Sequence, residues 1–237
     1  MTGSSQTDSG GPQSPAPATG RRLRSVVIIL IACFCGWLVM ELEILGARVL
    51  TPYFGSAIFV VMGSVIGVFL LSLAVGYMLG GWISGSPHSK PALGIGLSAA
   101  GVWLCLVPFA FDPVCERILD LGFAEKGGSL IAAIVLFGLP TAMLGMVSPT
   151  AVRWLTTQSG ESGLKAGLVL GFSTVASFAG CVVTAFYLVL LSVRRTFMFS
   201  GALLFALGAI IIIHWLLCLP GTDDHGTSDR GSERDAQ

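Results

Sequence analysis

The sequence predicts an all-α, polytopic membrane protein built as a bundle of six transmembrane helices. Of its 237 residues, 54% are hydrophobic and only 11% are charged, whereas a soluble domain carries about 25% charged residues. The mean hydropathy is +0.84. The apolar residues form six continuous runs between Ser25 and Leu219, each at least about 20 residues long, which is enough to cross a bilayer core. Continuous runs disfavour a membrane barrel, whose strands show shorter alternating segments.

The six predicted spans are helices, because only a helix satisfies its own backbone hydrogen bonds in lipid. In chain order they cover roughly 25–45, 58–82, 91–111, 130–152, 166–191 and 197–219. With the arginines that precede them, they form one transmembrane domain over 21–219. Residues 1–20 and 220–237 are polar and have too little apolar surface to fold, so we expect two disordered tails.

Arg21, Arg22 and Arg24 precede the first apolar run. Basic residues before an apolar run also occur in signal peptides, but Glu41 and Glu43 stand where small residues for cleavage would be needed. We therefore expect an uncleaved first span. Lysine and arginine concentrate on the cytoplasmic side, and the first helix usually sets the orientation. This predicts a multi-pass protein of the cell (inner) membrane with both termini in the cytoplasm.

Glycines repeat every four residues in the fifth span, at Gly163, Gly167 and Gly171. Gly76 and Gly80 show the same spacing in the second span. Helices in lipid associate through close backbone packing, which small residues allow. We interpret the fifth-span repeat as a packing face within the bundle, where it meets the glycine-rich second span. The alternative is a subunit interface in a homo-oligomer.

Two acids late in the first span, Glu41 and Glu43, are candidate solute-binding residues. An ionisable side chain within a span is a functional hypothesis by default. A rise of ~1.5 Å per residue places Glu41 in the outer part of the membrane. Glu43 lies on a nearly opposite face, whereas Arg48, seven residues after Glu41, shares the face of Glu41. The alternative is anchoring, in which a carboxylate pairs with Arg48 or Arg194 to fix the position of the helix.

The fourth span contains a candidate helix break near the membrane midplane, at Gly138, Pro140 and Thr141. Pro140 has no N–H group and crowds the carbonyl of Leu136. Interrupted helices near the midplane form the binding sites of many secondary transporters. The alternative is a simple kink, because proline is more frequent in membrane helices than in soluble ones.

Composition and motifs argue against several classes of function. The net charge is zero, so no basic patch indicates nucleic-acid binding. The sequence has no phosphate-binding glycine loop and no HExxH zinc motif, and its six cysteines lack the spacing of a redox or metal site. No Ser-His-Asp set can be assembled. We therefore predict no cofactor, favour a non-enzymatic function and expect the lipid bilayer as the main partner.

Several motifs, in order along the chain, resemble one membrane family. They are Glu43-Ile44-Leu45-Gly46-Ala47-Arg48, Leu50-Thr51-Pro52-Tyr53-Phe54-Gly55-Ser56, Gly63-Ser64-Val65-Ile66-Gly67, Gly76-Tyr77-Met78-Leu79-Gly80-Gly81, Leu139-Pro140-Thr141, Gly145-Met146-Val147-Ser148-Pro149 with Arg153, Ser173-Thr174 and Arg194-Arg195-Thr196. Over about 26–219 the chain resembles the membrane part of the fused spermidine-synthase-like proteins, which are related to the major facilitator superfamily.

In that family a soluble aminopropyltransferase-like domain follows the helices. Only a short polar segment follows Leu219 here, so we expect no such domain, and the active-site residues of the family have no positions in this chain. The loop from Ser84 to Lys90 also departs from the family pattern, which has an acid and an arginine there. The resemblance therefore implies a membrane module, with a separately encoded soluble synthase-like protein as a candidate partner.

Two functions remain in competition. The first is binding or transport of a small polar solute such as a polyamine, and this function depends on Glu41 and Glu43. The second is a non-catalytic membrane anchor or partner subunit for a separately encoded synthase-like enzyme. A membrane-embedded enzyme is the least supported alternative, because no nucleophile, base or metal set converges in the sequence.

Overall fold

A computed structural model describes residues 18–55, 58–156 and 162–217 of the chain. Every regular element in these residues is helical. Six helical segments are long and apolar enough to cross a membrane: Leu23–Phe54, Phe59–Ile83, Ser89–Asp120, Glu125–Thr156, Gly163–Leu190 and Val193–Leu217. The predicted all-α, six-span architecture is therefore confirmed. We call the membrane surface at which the first span begins the N-terminal face.

The helices, numbered in chain order, are α1 (Ala18–Phe54), α2 (Ile58–Ile83), α3 (Ser89–Asp120), α4 (Glu125–Ala133), α5 (Leu139–Gly145), α6 (Val147–Thr156), α7 (Ser162–Phe186) and α8 (Val193–Leu217). A π-helical turn, Ile134–Gly138, joins α4 to α5, and α4 to α6 together form the fourth span. A 3₁₀ turn, Leu188–Leu190, follows α7. The predicted tails, 1–20 and 220–237, lie outside the described residues, except that α1 begins at Ala18.

Helices α1 and α3 run well beyond the predicted span ends at 45 and 111. Hydropathy marks where lipid contact ends, and a helix continues past that point if its projecting end has partners. Tyr53 Oη donates a hydrogen bond to Asp112 Oδ1, which joins the two projecting ends. Shortly after α3, Gly122 has a φ of 75°. This left-handed conformation favours glycine and commonly follows the last turn of a helix.

Glycines bring α3 and α8 into a close contact. A Cβ atom at Gly101 would lie 2.5 Å from the backbone nitrogen of Phe205 and 2.7 Å from the carbonyl oxygen of Gly201. A Cβ atom at Gly208 would lie 2.6 Å from the carbonyl oxygen of Gly94. These positions have no room for a side chain, and such close packing is what holds helices together where lipid removes the hydrophobic driving force.

Helix α7 packs on α1 through small residues. A Cβ atom at Gly36 would lie 2.7 Å from Ser173 Oγ, and one at Gly180 would lie 2.8 Å from the carbonyl oxygen of Trp37. Ser173 Oγ also donates a 3.1 Å hydrogen bond to the carbonyl oxygen of Ala32. The residue numbers in these contacts increase together along both helices, so α1 and α7 run parallel.

The glycine repeat of the fifth span does not lie in this contact. Cβ atoms at Gly163, Gly167 and Gly171 would meet no heavy atom within 4 Å in the described part of the chain, and all three residues are exposed. The prediction that they pack within the bundle is wrong. Gly180 is nine residues after Gly171, which is two and a half turns at ~3.6 residues per turn. The face that meets α1 is therefore opposite the glycine repeat.

Gly76 and Gly80 of the second span lie in a close helix contact, as predicted, but the neighbouring helix is the fourth span and not the fifth. A Cβ atom at Gly80 would lie 2.5 Å from the carbonyl oxygen of Met146, and Gly76 lies against Ala142. Helix α2 therefore packs on the fourth span and not on the glycine repeat of α7.

Phe137, in the π-helical turn, occupies the centre of the bundle. Its ring centroid lies 5.9 Å from that of Phe69 on α2 and 6.0 Å from that of Phe197 on α8. A Cβ atom at Gly46 of α1 would lie 3.1 Å from the Phe137 ring, so the glycine leaves the space that the ring fills. These spacings are typical of favourable aromatic pairs, and they connect four of the six spans.

Candidate functional site: an intramembrane cavity and its entrance

Glu41 is buried between α1 and α8, with only 3% of its surface exposed. Trp37 Nε1 donates a 3.0 Å hydrogen bond to Glu41 Oε2, and Ser200 Oγ donates to Glu41 Oε1. Both carboxyl oxygens therefore have a donor, and the Ser200 bond joins two spans. A buried polar group with partners stabilises one arrangement of the helices. This geometry indicates that Glu41 holds α1 against α8 and is closed to solute.

The anchoring alternative paired a carboxylate with Arg48 or Arg194, and Glu41 forms neither pair among the described residues. Arg48 is exposed, and no ion pair joins it to either acid among the residues that the structure describes. Arg194 donates a 3.1 Å hydrogen bond to the carbonyl oxygen of Pro108, and its guanidinium lies 5.1 Å from the centroid of the Phe109 ring. The anchoring role of Glu41 therefore depends on neutral donors, because the two arginines face other surroundings.

Glu43 is half-buried and lies on another face of α1. At ~100° per residue, Glu43 shares a face with Gly36, Val39 and Met40. Side chains in a helix lean towards its N-terminus, so the carboxylate of Glu43 leans towards these residues. Thus the two acids, only two positions apart, have different environments. Glu43 is not itself a lining residue, but it shares a helical face with three residues that line a cavity.

The predicted midplane break is a π-helical turn. The helix remains wound through Ile134–Gly138 and continues as α5, so no stretch of unwound backbone is available to bind a solute. Pro140 cannot donate to the carbonyl of Leu136, and Trp103 Nε1 on α3 donates to that oxygen instead, at 3.1 Å. A π-helical turn within an α-helix commonly marks such a local mismatch.

The other two residues of the predicted break are close to this turn. Gly138 is half-buried, and a Cβ atom there would lie 3.7 Å from Ser72 Oγ, which is an ordinary contact. Thr141 is fully buried, and its Oγ1 atom has no hydrogen-bond partner in the described part of the chain. Thr141 lies one turn from Leu144 and Gly145 on the same helical face, and these two residues line the cavity.

A cavity of about 180 Å³ lies inside the bundle, between α1, α2, α7 and the fourth span. Its walls combine apolar side chains with five hydroxyl groups, from Tyr77, Ser148, Ser173, Thr174 and Ser177. Counting ~1.5 Å per residue from Leu23, where the first span begins, places its α1 wall, Cys35–Met40, about 18–26 Å along the helix. The cavity is therefore near the middle of the membrane.

Three of the cavity hydroxyls already donate their protons to backbone carbonyls. Ser173 Oγ donates to Ala32, Thr174 Oγ1 donates to Leu170 at 2.8 Å, and Ser177 Oγ donates to the carbonyl oxygen of Ser173 at 2.9 Å. A hydroxyl has one donor and two acceptor lone pairs. Because the donors are used, these oxygens offer lone pairs to the cavity. The wall that α7 contributes is therefore a set of hydrogen-bond acceptors.

A larger cavity of about 570 Å³ continues from this one towards the N-terminal face. The two share the lining residues Tyr77, Ser148 and Leu170, and the larger cavity also includes Ser84 and Arg153. Tyr77 is 47% exposed, so its ring stands at the open side of this path. The two cavities together connect the middle of the bundle with one membrane surface.

No family model, curated protein or solved structure matches this chain. The resemblance to the membrane part of the spermidine-synthase-like proteins therefore stays a prediction.

Sequence reasoning missed the role of the hydroxyls of α7. Ser173 and Ser177 both pack on α1 and also line the cavity. The available signal was their spacing: positions 173, 174 and 177 share one side of a helix. The spacing alone does not show which helix or cavity this side of α7 contacts.

Proposed function

We propose that this chain binds and transports a small polar solute that carries a protonated amine, with polyamines as the leading candidates. The observation that carries the proposal is the cavity wall of hydroxyl acceptors on α7, with the Glu43 carboxylate one turn beyond it on the cavity side of α1. An ammonium group has three donors and no acceptor, so this combination matches its chemistry.

The size of the cavity bears on the solute. A water molecule occupies about 30 Å³ in the liquid, so a 180 Å³ cavity has room for an aminoalkyl group and not for a whole polyamine. A longer chain would extend along the apolar part of the larger cavity towards the N-terminal face. The apolar methylenes of a polyamine suit the leucine and valine side chains that the two cavities contain.

Glu43, and not Glu41, is the acid that we assign to the solute. Glu41 has a donor at each oxygen and almost no exposed surface, so it has no place for a second cation. Glu43 is half-buried and shares a helical face with Gly36, Val39 and Met40, which line the cavity. Hydrogen bonds to a charged group contribute about 1.5–3 kcal/mol, so loss of the Glu43 charge should weaken amine binding about tenfold or more.

The test measures binding of a monoamine, a diamine and a longer polyamine to the purified full-length protein by calorimetry. We expect Glu43→Gln to lower the affinity of the wild type at least tenfold while the protein remains folded. Glu116→Gln, a matched change at an exposed site on α3, should leave the affinity unchanged. If no amine binds the wild type, or if both variants bind as tightly as the wild type, the proposal is wrong.

The proposed orientation places the N-terminal face in the cytoplasm, in the cell (inner) membrane. In the sequence, five lysines and arginines lie near the opposite face, whereas six flank this face: Arg21, Arg22, Arg24, Lys90, Arg153 and Lys165. An excess of such residues is typical of cytoplasmic loops. A single cysteine introduced at His88 should react with an impermeant reagent only in inside-out vesicles. Labelling of this cysteine in intact cells would show that the N-terminal face is outside the cell, which would contradict the proposed orientation.

The second candidate function, a membrane anchor or partner subunit for a synthase-like enzyme, has one supporting observation. The fifth span, which contains α7, has the smallest share of buried residues of the six spans. The exposed side of α7 carries the glycine repeat. Such a side suits a close contact with a further membrane helix, from a second copy of this chain or from another protein. Association of the chain with a soluble synthase-like protein in a pull-down would support this function.

A further inference from the structure

A third cavity, of about 350 Å³, opens at the N-terminal face, beside the entrance of the solute path. Three helices each contribute one cation to its lining: Arg24 from α1, Lys90 from the start of α3 and Arg153 from α6. No aspartate or glutamate is among the described residues that line it. The cations thus converge on one space from three separate parts of the sequence.

The other lining groups also suit a ligand at the membrane surface. Trp154 and Trp215 line the same cavity, and tryptophan is enriched at the level of lipid headgroups. Trp154 Nε1 donates a 3.4 Å hydrogen bond to Ser89 Oγ, which fixes the indole ring. The guanidinium of Arg153 lies over the loop after α2, so that a Cβ atom at Gly85 would be 3.5 Å from Arg153 Nη1.

We propose that this cavity is a binding site for a phosphate group, which we call the phosphate site. Arginine and lysine side chains bind phosphate through charge-assisted hydrogen bonds. Basic pockets between transmembrane helices on the cytoplasmic side bind the headgroups of anionic lipids. The same chemistry would accept a free phosphate, so lipid and soluble phosphate are the two sources to be distinguished. The inference does not rest on the proposed amine binding.

Occupation of the phosphate site would change the electrostatics of the entrance. Ser84 and Arg153 line both this cavity and the larger cavity of the solute path. Their shared position means that a phosphate would offset positive charge where the path opens.

The test compares the purified full-length protein in neutral detergent micelles with added phosphatidylglycerol, phosphatidylcholine or inorganic phosphate. Arg153 already has an interaction of its own, so the variants change the other two cations, as Arg24→Gln with Lys90→Gln. The matched control is Arg48→Gln with Arg117→Gln, which removes two exposed positive charges that do not line the cavity. Retained phospholipid is counted by native mass spectrometry, and affinity is measured by thermal shift.

We expect phosphatidylglycerol to raise the melting temperature of the wild type and to be retained, whereas phosphatidylcholine is not. The Arg24/Lys90 variant should bind phosphatidylglycerol about 25-fold more weakly, at about fivefold for each cation removed, and the control should match the wild type. A shift with inorganic phosphate as well would identify the phosphate group alone as sufficient. No response to either phosphate source, or equal losses in variant and control, would overturn the proposal.

Discussion

Two sets of glycines in this protein each recur on one side of a helix, and the two sets have opposite surroundings. The closed set, between α3 and α8, consists of Gly94, Gly101, Gly201 and Gly208, and the open set, on α7, consists of Gly163, Gly167 and Gly171. In the closed set a Cβ atom would meet the backbone of the neighbouring helix, and in the open set it would meet nothing within 4 Å in the described residues. Glycine spacing alone therefore does not identify a helix contact.

The closed set differs in having a reciprocal partner. Gly94 and Gly101 are seven residues apart on α3, and Gly201 and Gly208 are seven apart on α8. Because Gly101 meets Gly201 and Gly94 meets Gly208, the two helices run antiparallel with matching spacing. Seven residues are close to two helical turns, so both contacts fall on one side of each helix. The open set has no matching pair of glycines on a described neighbour.

The largest effect should come from adding one methyl group to the closed set. In Gly101→Ala the new Cβ atom would lie 2.5 Å from a backbone nitrogen of α8, and a backbone atom has no rotamer through which to move away. We expect a loss of about 2–3 kcal/mol, the range of an overpacked core, measured by unfolding in sodium dodecyl sulfate. An unchanged midpoint would contradict the close contact between α3 and α8.

An intermediate effect should come from the polar contact of α8. Ser200→Ala removes the donor to Glu41 Oε1 and leaves a buried carboxyl oxygen without its partner, which costs about 1–3 kcal/mol. Ser98→Ala on α3 is the matched control, because Ser98 Oγ is buried without a partner in the described residues. The control should cost nothing. Equal costs in the same unfolding assay would mean that packing, and not the hydrogen bond, explains the loss.

The smallest effect, with the opposite sign, should come from the open set. Alanine is favoured over glycine in a helix by about 1 kcal/mol, and at Gly171 the added methyl group meets no neighbour. We expect Gly171→Ala to leave the free energy of unfolding unchanged or to raise it by up to about 1 kcal/mol. Gly171→Leu tests the alternative that the open set is an interface between two copies of the chain. If it is, this variant should shift the protein to monomer in sedimentation experiments.

Much of the fold could be predicted because each span carries its own signal. The six runs were recognised from length and hydropathy, and all six are helices. The ends were less predictable: α3 continues to Asp120 because Tyr53, distant in sequence, holds its projecting end. The irregular turn before Pro140 was expected from proline chemistry, but its donor, Trp103, belongs to another helix.

The candidate site was predictable only in part. The sequence marks Glu41 and Glu43 as unusual residues for a membrane span, yet their surroundings differ only when neighbouring helices are in place. Trp37 and Ser200 close off Glu41, while the face of Glu43 meets a cavity. The hydroxyls of α7 had only one sequence signal, their spacing on one side of a helix, and it was ambiguous because serine and threonine also serve as small packing residues.

The sequence by itself determined the number, type and approximate extent of the spans. Backbone groups in lipid have no water to bond, so a long apolar run becomes a helix whatever its neighbours are. The tertiary structure alone decided which faces meet, which acid is closed off and where the cavity lies. Side chains and lipid tails are similarly apolar, so the choice of contact faces depends on close fit between backbones and a few hydrogen bonds. Those small differences arise between helices and are absent from the local pattern of any one of them.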